Sequence, residues 1–151
     1  MRSQVGGMTM FELMITITLL GLLGAMAVPA YNGYTERARI NRAIGDIGRV
    51  SIELYTWRVN SGGGSFPASL AVAGIDLAPD PWGNAYTYTR IEGAAINDLR
   101  KDRNLNPVNT DFDLFSNGPD GDSARPFTAG KSRDDVVRAN DGGFIGIAED
   151  Y

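Results

Sequence analysis

Between Leu13 and Thr35 the chain carries no charged side chain. At about 1.5 Å of rise per helical residue, a stretch of this length can cross a hydrocarbon core of about 30 Å. A secretory signal peptide would show a basic start, a shorter apolar core and a small-x-small cleavage site. Ala25-Met26-Ala27 has the form of such a site, but Glu12 stands at the start of the apolar run and the helical pattern continues past Ala27. The sequence therefore predicts a membrane helix that is retained.

Glu12 is the residue that this helix has to explain. A carboxylate entering lipid is costly without a positive partner, and no basic side chain lies near it in the sequence. Cutting the chain after Gly7, within Gly7-Met8-Thr9-Met10-Phe11-Glu12, creates one: the new α-amino group of Met8, on the same subunit or the next. Charge around the span points both ways. Arg2 precedes it while Arg37, Arg39 and Arg42 follow, so a positive-inside count leaves the C-terminal part in the cytoplasm. The short leader and the cleavage motif favour the opposite topology, with the bulk of the chain exported.

Composition narrows the function classes. The 151 residues allow one small domain beside the span, and 14 basic against 18 acidic residues give a net charge of −4. That balance argues against nucleic acid as a partner, because nucleic-acid-binding domains cluster basic surface. Without cysteine there is no disulfide, thiolate metal site or cysteine nucleophile. Without histidine the commonest general base and the Ser-His-Asp arrangement are excluded, and no enzyme is expected.

Beyond the span, Ile40, Ala43, Ile44, Ile47, Val50, Leu54 and Trp57 recur at three- and four-residue steps, with Arg39, Arg42, Asp46, Arg49, Glu53 and Arg58 on other faces. This is an amphipathic helix packed on something. Pro29 removes a hydrogen bond inside the helical pattern and is expected to kink or loosen it. Gly21-x-x-Gly24 offers small surfaces for close helix approach. Asn60-Ser61-Gly62-Gly63-Gly64-Ser65 ends the helix. Asp80 to Thr89 reads as a turn feeding a strand, and Phe112 to Ser116 as a second strand. Ile91 to Asn109 is a strand edge or a variable loop, and Phe144 to Ile147 a last short strand or a packing segment. Trp82, between Pro81 and Gly83, is read as an aromatic plug for its turn. The expected fold is α+β, a long helix on a small antiparallel sheet.

One acidic cluster suits a hard cation. Asn117-Gly118-Pro119-Asp120-Gly121-Asp122 is a tight turn, and Asp134-Asp135 follows a short loop later. Calcium takes six to eight oxygen ligands, and several aspartates around a glycine-rich loop can supply them. The spacing is not that of the twelve-residue helix-loop-helix motif. Read from the residues alone, turn chemistry and a solvated acidic pair explain the same pattern more simply.

Gly7-Met8-Thr9-Met10-Phe11-Glu12, the apolar helix and Pro29 resemble the class III signal of type IV pilins and pseudopilins. Asp80-Pro81-Trp82-Gly83-Asn84-Ala85-Tyr86 and Asp113 to Gly121 look like the major pseudopilins of type II secretion systems. The resemblance implies a type IV pilin-like fold, with a leader at 1–7, the transmembrane and assembly half of the helix at 8–35, its amphipathic half at 36–60 and a periplasmic region at 61–151. It implies cleavage after Gly7 by a prepilin peptidase, N-methylation of Met8, and pairing of Glu12 with a neighbour's N-terminal amine during assembly, with Pro29 part of the assembly helix. The implied partners are further copies of the chain, minor pseudopilins, membrane lipid, and an inner-membrane platform driven by a cytoplasmic ATPase. The implied setting is the inner membrane of a Gram-negative bacterium, where a short filament pushes folded proteins through the outer membrane. An adhesive, motile or DNA-uptake pilin is the alternative. A calcium ion is also implied, on Asp120, Asp134 and Asp135 with carbonyls near Asn117 and Asp122. Departures from the pattern are Met8 in place of phenylalanine, Gly6 in place of a basic residue, and a long segment from Ser123 to Arg133 that carries Arg125 and Lys131.

Overall fold

The computed structural model describes residues 7–151; the expected leader, apart from Gly7, lies outside the described residues. One helix, α1, spans Met10–Asn60. Two compact units divide the chain at Arg37 and Ala38.

The first unit is the apolar part of α1. Its best stretch has a mean hydropathy of 2.1, and the helix is long and apolar enough to cross a membrane. Large apolar side chains from Met8 to Tyr34 are exposed within it, among them Leu20, Leu23 and Met26. The hydroxyls of Thr16 and Thr18 do not face this environment unpaired: they donate back to the carbonyls of Leu13 and Met14 at 2.8 and 2.7 Å. Pro29 lies inside the helix, which continues through it.

The second unit packs the rest of α1 on a four-stranded antiparallel sheet in the order β1-β2-β3-β4. The strands are β1 Thr87–Arg90, β2 Phe112–Ser116, β3 Val136–Ala139 and β4 Phe144–Ile147. Ala43, Ile47, Val50 and Leu54 bury one stripe of the helix against Phe66, Phe112, Leu114 and Val136. Ile40, Ile44, Trp82 and Tyr86 pack around that core, so the turn tryptophan plugs as expected. At its C-terminus α1 closes in a Schellman motif: the Gly63 N–H donates to the Arg58 carbonyl at 2.9 Å and the Gly62 N–H to Val59 at 3.3 Å. Gly62 takes φ +94°, which an L side chain resists.

β2 and β4 fall where the sequence places them. β3 does not announce itself, because all four of its residues are buried and one of them is Arg138, so it has neither alternation nor a clean apolar run. The segment 91–109 is a loop, held by bridges from Lys101 to Pro107 and to Pro126. The β3–β4 hairpin turns through Asn140 and Asp141, both at positive φ. The Asp141 carboxylate accepts the N–H and hydroxyl of Thr110, each at 2.7 Å.

Three phenols and one guanidinium tie the helix, the sheet and the loop after the helix together. Tyr86 donates to Asp46 on α1 at 3.0 Å, and burial followed by this carboxylate pushes its phenol upward. Tyr88 donates to the Pro67 carbonyl at 2.8 Å, and burial pushes it up to about 12. Arg138 forks onto Asp111 at 2.8 and 2.7 Å, and Tyr55 of α1 donates to the same carboxylate at 2.6 Å. Burial acts to raise the Asp111 carboxyl, but the bonds from Arg138, Tyr55 and the Phe112 N–H outweigh it and hold the group below 3.8. A carboxyl depressed by folding contributes stability above its unfolded pKa and loses that contribution as pH falls through the folded value. The Tm gap between wild type and Asp111→Asn is therefore expected to be widest above about pH 4 and to shrink on further acidification. A gap of constant width from neutral pH to pH 3 would contradict this.

Candidate functional site

At the start of α1, Gly7 and Met8 are exposed and lie outside the helix. Thr9 is the N-cap: its carbonyl accepts the first helical bond, from the Leu13 N–H at 3.1 Å. The Thr9 N–H and hydroxyl donate to Glu12 Oε2 at 2.8 and 2.9 Å, and the Glu12 N–H returns a bond to Thr9 Oγ1 at 3.2 Å. This is a reciprocal capping box. The Ser/Thr-x-x-Glu spacing that signals it stands in the sequence, yet reading Glu12 only for a charge partner passes over Thr9. The box engages one oxygen of the carboxylate, Oε2, without neutralising its charge. Among the described residues Oε1 accepts no bond, which leaves an oxygen for a donor from elsewhere.

In the second unit, the turn at Asp80 is bound to the loop that follows β2. Asp80 Oδ1 accepts the backbone N–H groups of Trp82 and Asn84 at 3.1 and 2.8 Å, and Oδ2 accepts the Ser116 hydroxyl at 2.5 Å. Asn84 Nδ2 donates to the Gly118 carbonyl at 2.9 Å. Gly118 takes φ +66° and presses so closely on the next segment that a Cβ there would sit 2.5 Å from the Asp134 carbonyl oxygen. The two stretches Asp80–Tyr86 and Asp113–Gly121 thus form one continuous hydrogen-bonded structure.

The five residues of the expected cation site are distributed as follows. Asp120 Oδ1 accepts the Asp122 N–H at 2.9 Å in a local turn. Asp122 is paired with Lys131, both exposed. The Asp122 bond is the first cause of a lowered carboxyl there and of a raised ammonium on Lys131. Asn117 Nδ2 donates to the Gly121 carbonyl at 3.3 Å, while its buried Oδ1 has no partner. Asp134 is half-buried against Gly118. Asp135 is fully buried, with Oδ2 accepting from Arg100 and from the Ser123 hydroxyl, each at 2.6 Å, and Oδ1 without a partner. Burial is the largest influence on Asp135 and pushes its carboxyl up to about 6, against the pull of Ser123 and Arg100. Among the described residues, no three acidic side chains group closely enough to hold a metal ion.

Arg100 is the residue here that sequence reading missed. It sits in the polar 91–109 segment, where an arginine looks solvated, and its partners lie more than twenty positions later in the chain. Its side chain is 2% exposed.

The chain is 30% identical over 139 residues to the type IV major fimbrial protein FimA of Dichelobacter nodosus, an alignment spanning 87% of this chain and 79% of FimA. It is 27% identical over 140 residues to the type II secretion system core protein G of Pseudomonas aeruginosa, spanning 80% of this chain and 87% of that protein. A fimbrial protein of Neisseria meningitidis is 29% identical over 100 residues, which cover 66% of this chain and 58% of the relative's length. No family model matches the chain, and no solved structure matches it.

Proposed function

The chain belongs to the type IV pilin-like superfamily, and from that premise we propose that it polymerises through its N-terminal helix into the pseudopilus of a type II secretion system. It is a structural subunit, not an enzyme; its relatives are fimbrial, pilin and secretion-system core proteins. The observation that carries the assembly role is the conjunction at the helix start. An exposed Gly7–Met8 bond stands beside a capped Glu12, and an apolar helix with unburied side chains follows.

In this reading a prepilin peptidase cuts after Gly7 and Met8 is N-methylated. The new amine meets Glu12 of an adjacent subunit, while apolar helices previously held in lipid pack on one another. The chain is a single-pass protein of the inner membrane with residues 61–151 in the periplasm, and minor pseudopilins, the inner-membrane platform and its ATPase act on it during assembly. Support for a pseudopilin in particular comes from the Asp80–Tyr86 turn and its bonds to the Asp113–Gly121 stretch, since these two stretches carry the resemblance to major pseudopilins. The absence of cysteine also disfavours pilins that close their C-terminal loop with a disulfide.

A pilin of surface fibres is the second reading, favoured by the match to FimA over most of both chains. Deleting the gene in its native host separates the two. A pseudopilin predicts secreted enzymes trapped in the periplasm and surface fibres unchanged. Normal secretion with lost fibres, adhesion or DNA uptake would establish the pilin instead.

A further inference from the structure

We infer that the loop between β2 and β3 is closed by the guanidinium of Arg100, in place of the calcium ion that the family resemblance implies. Arg100 reaches the loop from the 91–109 segment. Its Nη1 donates to the Ser123 hydroxyl at 2.5 Å and to the Ala124 carbonyl at 2.6 Å, and its Nη2 donates to Asp135 at 2.6 Å. A carboxylate, a hydroxyl and a backbone carbonyl are the kinds of oxygen that a hard cation collects, and here a protein cation has collected them. The guanidinium also lies 4.3 Å over the Phe115 ring and 5.0 Å from that of Phe127, a placement suited to a planar cation. Its own backbone N–H donates to the buried Asp113 at 2.8 Å, which fixes the segment that delivers it.

The carboxylates left over do not rebuild a metal cage. Asp122 is paired with Lys131, Asp120 accepts a local bond through Oδ1, Asp135 is held by Arg100 through Oδ2, and Asp134 lies half-buried against Gly118. Among the described buried side-chain oxygens, Asn117 Oδ1 and Asp135 Oδ1 stand without a partner, and no three acidic side chains of the described residues group closely enough to hold an ion. The long Ser123–Arg133 segment gains a purpose on this view. It carries Ser123 and Ala124 to the guanidinium, while Ser132 hydrogen-bonds both the N–H and the carbonyl of Ala124 at 2.8 and 2.7 Å, locking the turn around it.

The full-length chain in detergent micelles provides the test, melted in calcium chloride and in EGTA, with tryptic cuts at Lys131 and Arg133 followed by mass spectrometry. The same Tm and the same resistance to trypsin are expected in both solutions. Arg100→Gln leaves Asp135 buried without its cation, so Tm falls by roughly 10 °C and the two loop sites open first. Asp120→Ala, which removes a carboxylate assigned to the ion by resemblance, shifts Tm by no more than about 2 °C. Should Arg100→Gln fail to fold, Arg100→Lys is read instead; it keeps the charge but not the fork, and the loop is cut faster than in wild type. A calcium-dependent rise in the wild-type Tm overturns the inference. So does an Arg100 variant whose loop resists trypsin as the wild type does.

Discussion

Arg138→Ala is expected to destabilise the unit formed by Ala38 to Tyr151 by about 3–5 kcal/mol, a large part of the 5–15 kcal/mol that holds a typical domain together. The side chain is fully buried and touches every layer of this unit. Its fork neutralises Asp111, its Nη1 satisfies the Phe112 carbonyl at 3.0 Å, its Nη2 donates to the Tyr55 hydroxyl at 3.2 Å, and its plane lies 4.0 Å over the Phe112 ring. Truncation leaves an uncompensated carboxylate and a void at the same place. Arg138→Lys should recover only part of the loss, because one ammonium cannot reproduce a planar fork. Arg138→Met combined with Asp111→Leu should recover more than either change alone, since the penalty comes from breaking the pair rather than from lacking it. Thermal melting of the full-length variants in detergent, followed by near-ultraviolet circular dichroism, measures each. A Tm for Arg138→Ala within about 2 °C of wild type would remove Arg138 from the stabilising framework.

The same residue shows what the sequence hides. The stripe Ala43, Ile47, Val50, Leu54 is legible because helical burial is periodic over short distances, and Phe112–Ser116 because an aromatic-rich run is bounded by turns. Arg138 and Arg100 escape because their partners lie 27 and 35 residues away, at Asp111 and Asp135. A buried charge looks, in its own window, like a surface one. That is why β3 goes unread between an acidic pair and a turn, and why Asp135, taken alone, looks available to an ion. Thr9 is the opposite case. Its capping role is written in a four-residue spacing, Thr9 to Glu12.

Glu12→Gln should leave processing after Gly7 intact and reduce filaments below detection. This substitution is more informative than alanine because two roles coincide on one carboxylate. Glutamine serves the capping box nearly as well as glutamate, since its side-chain oxygen can still accept from the Thr9 N–H. The helix start is therefore kept while the charge is lost. Were Glu12 present only to cap the helix, the variant would assemble normally, and normal filaments would defeat the assembly role. If the charge is what matters, the Met8 amine of an incoming subunit meets a neutral amide, and every addition step loses the same attraction. Polymer growth compounds that loss, because a filament requires the step to succeed at each subunit in turn. Glu12→Ala removes both functions and should be no worse than glutamine for assembly, although its first helical turn frays further. Immunoblots for the cleaved chain and electron microscopy of overproduced filaments, applied to both variants side by side, distinguish cap from charge.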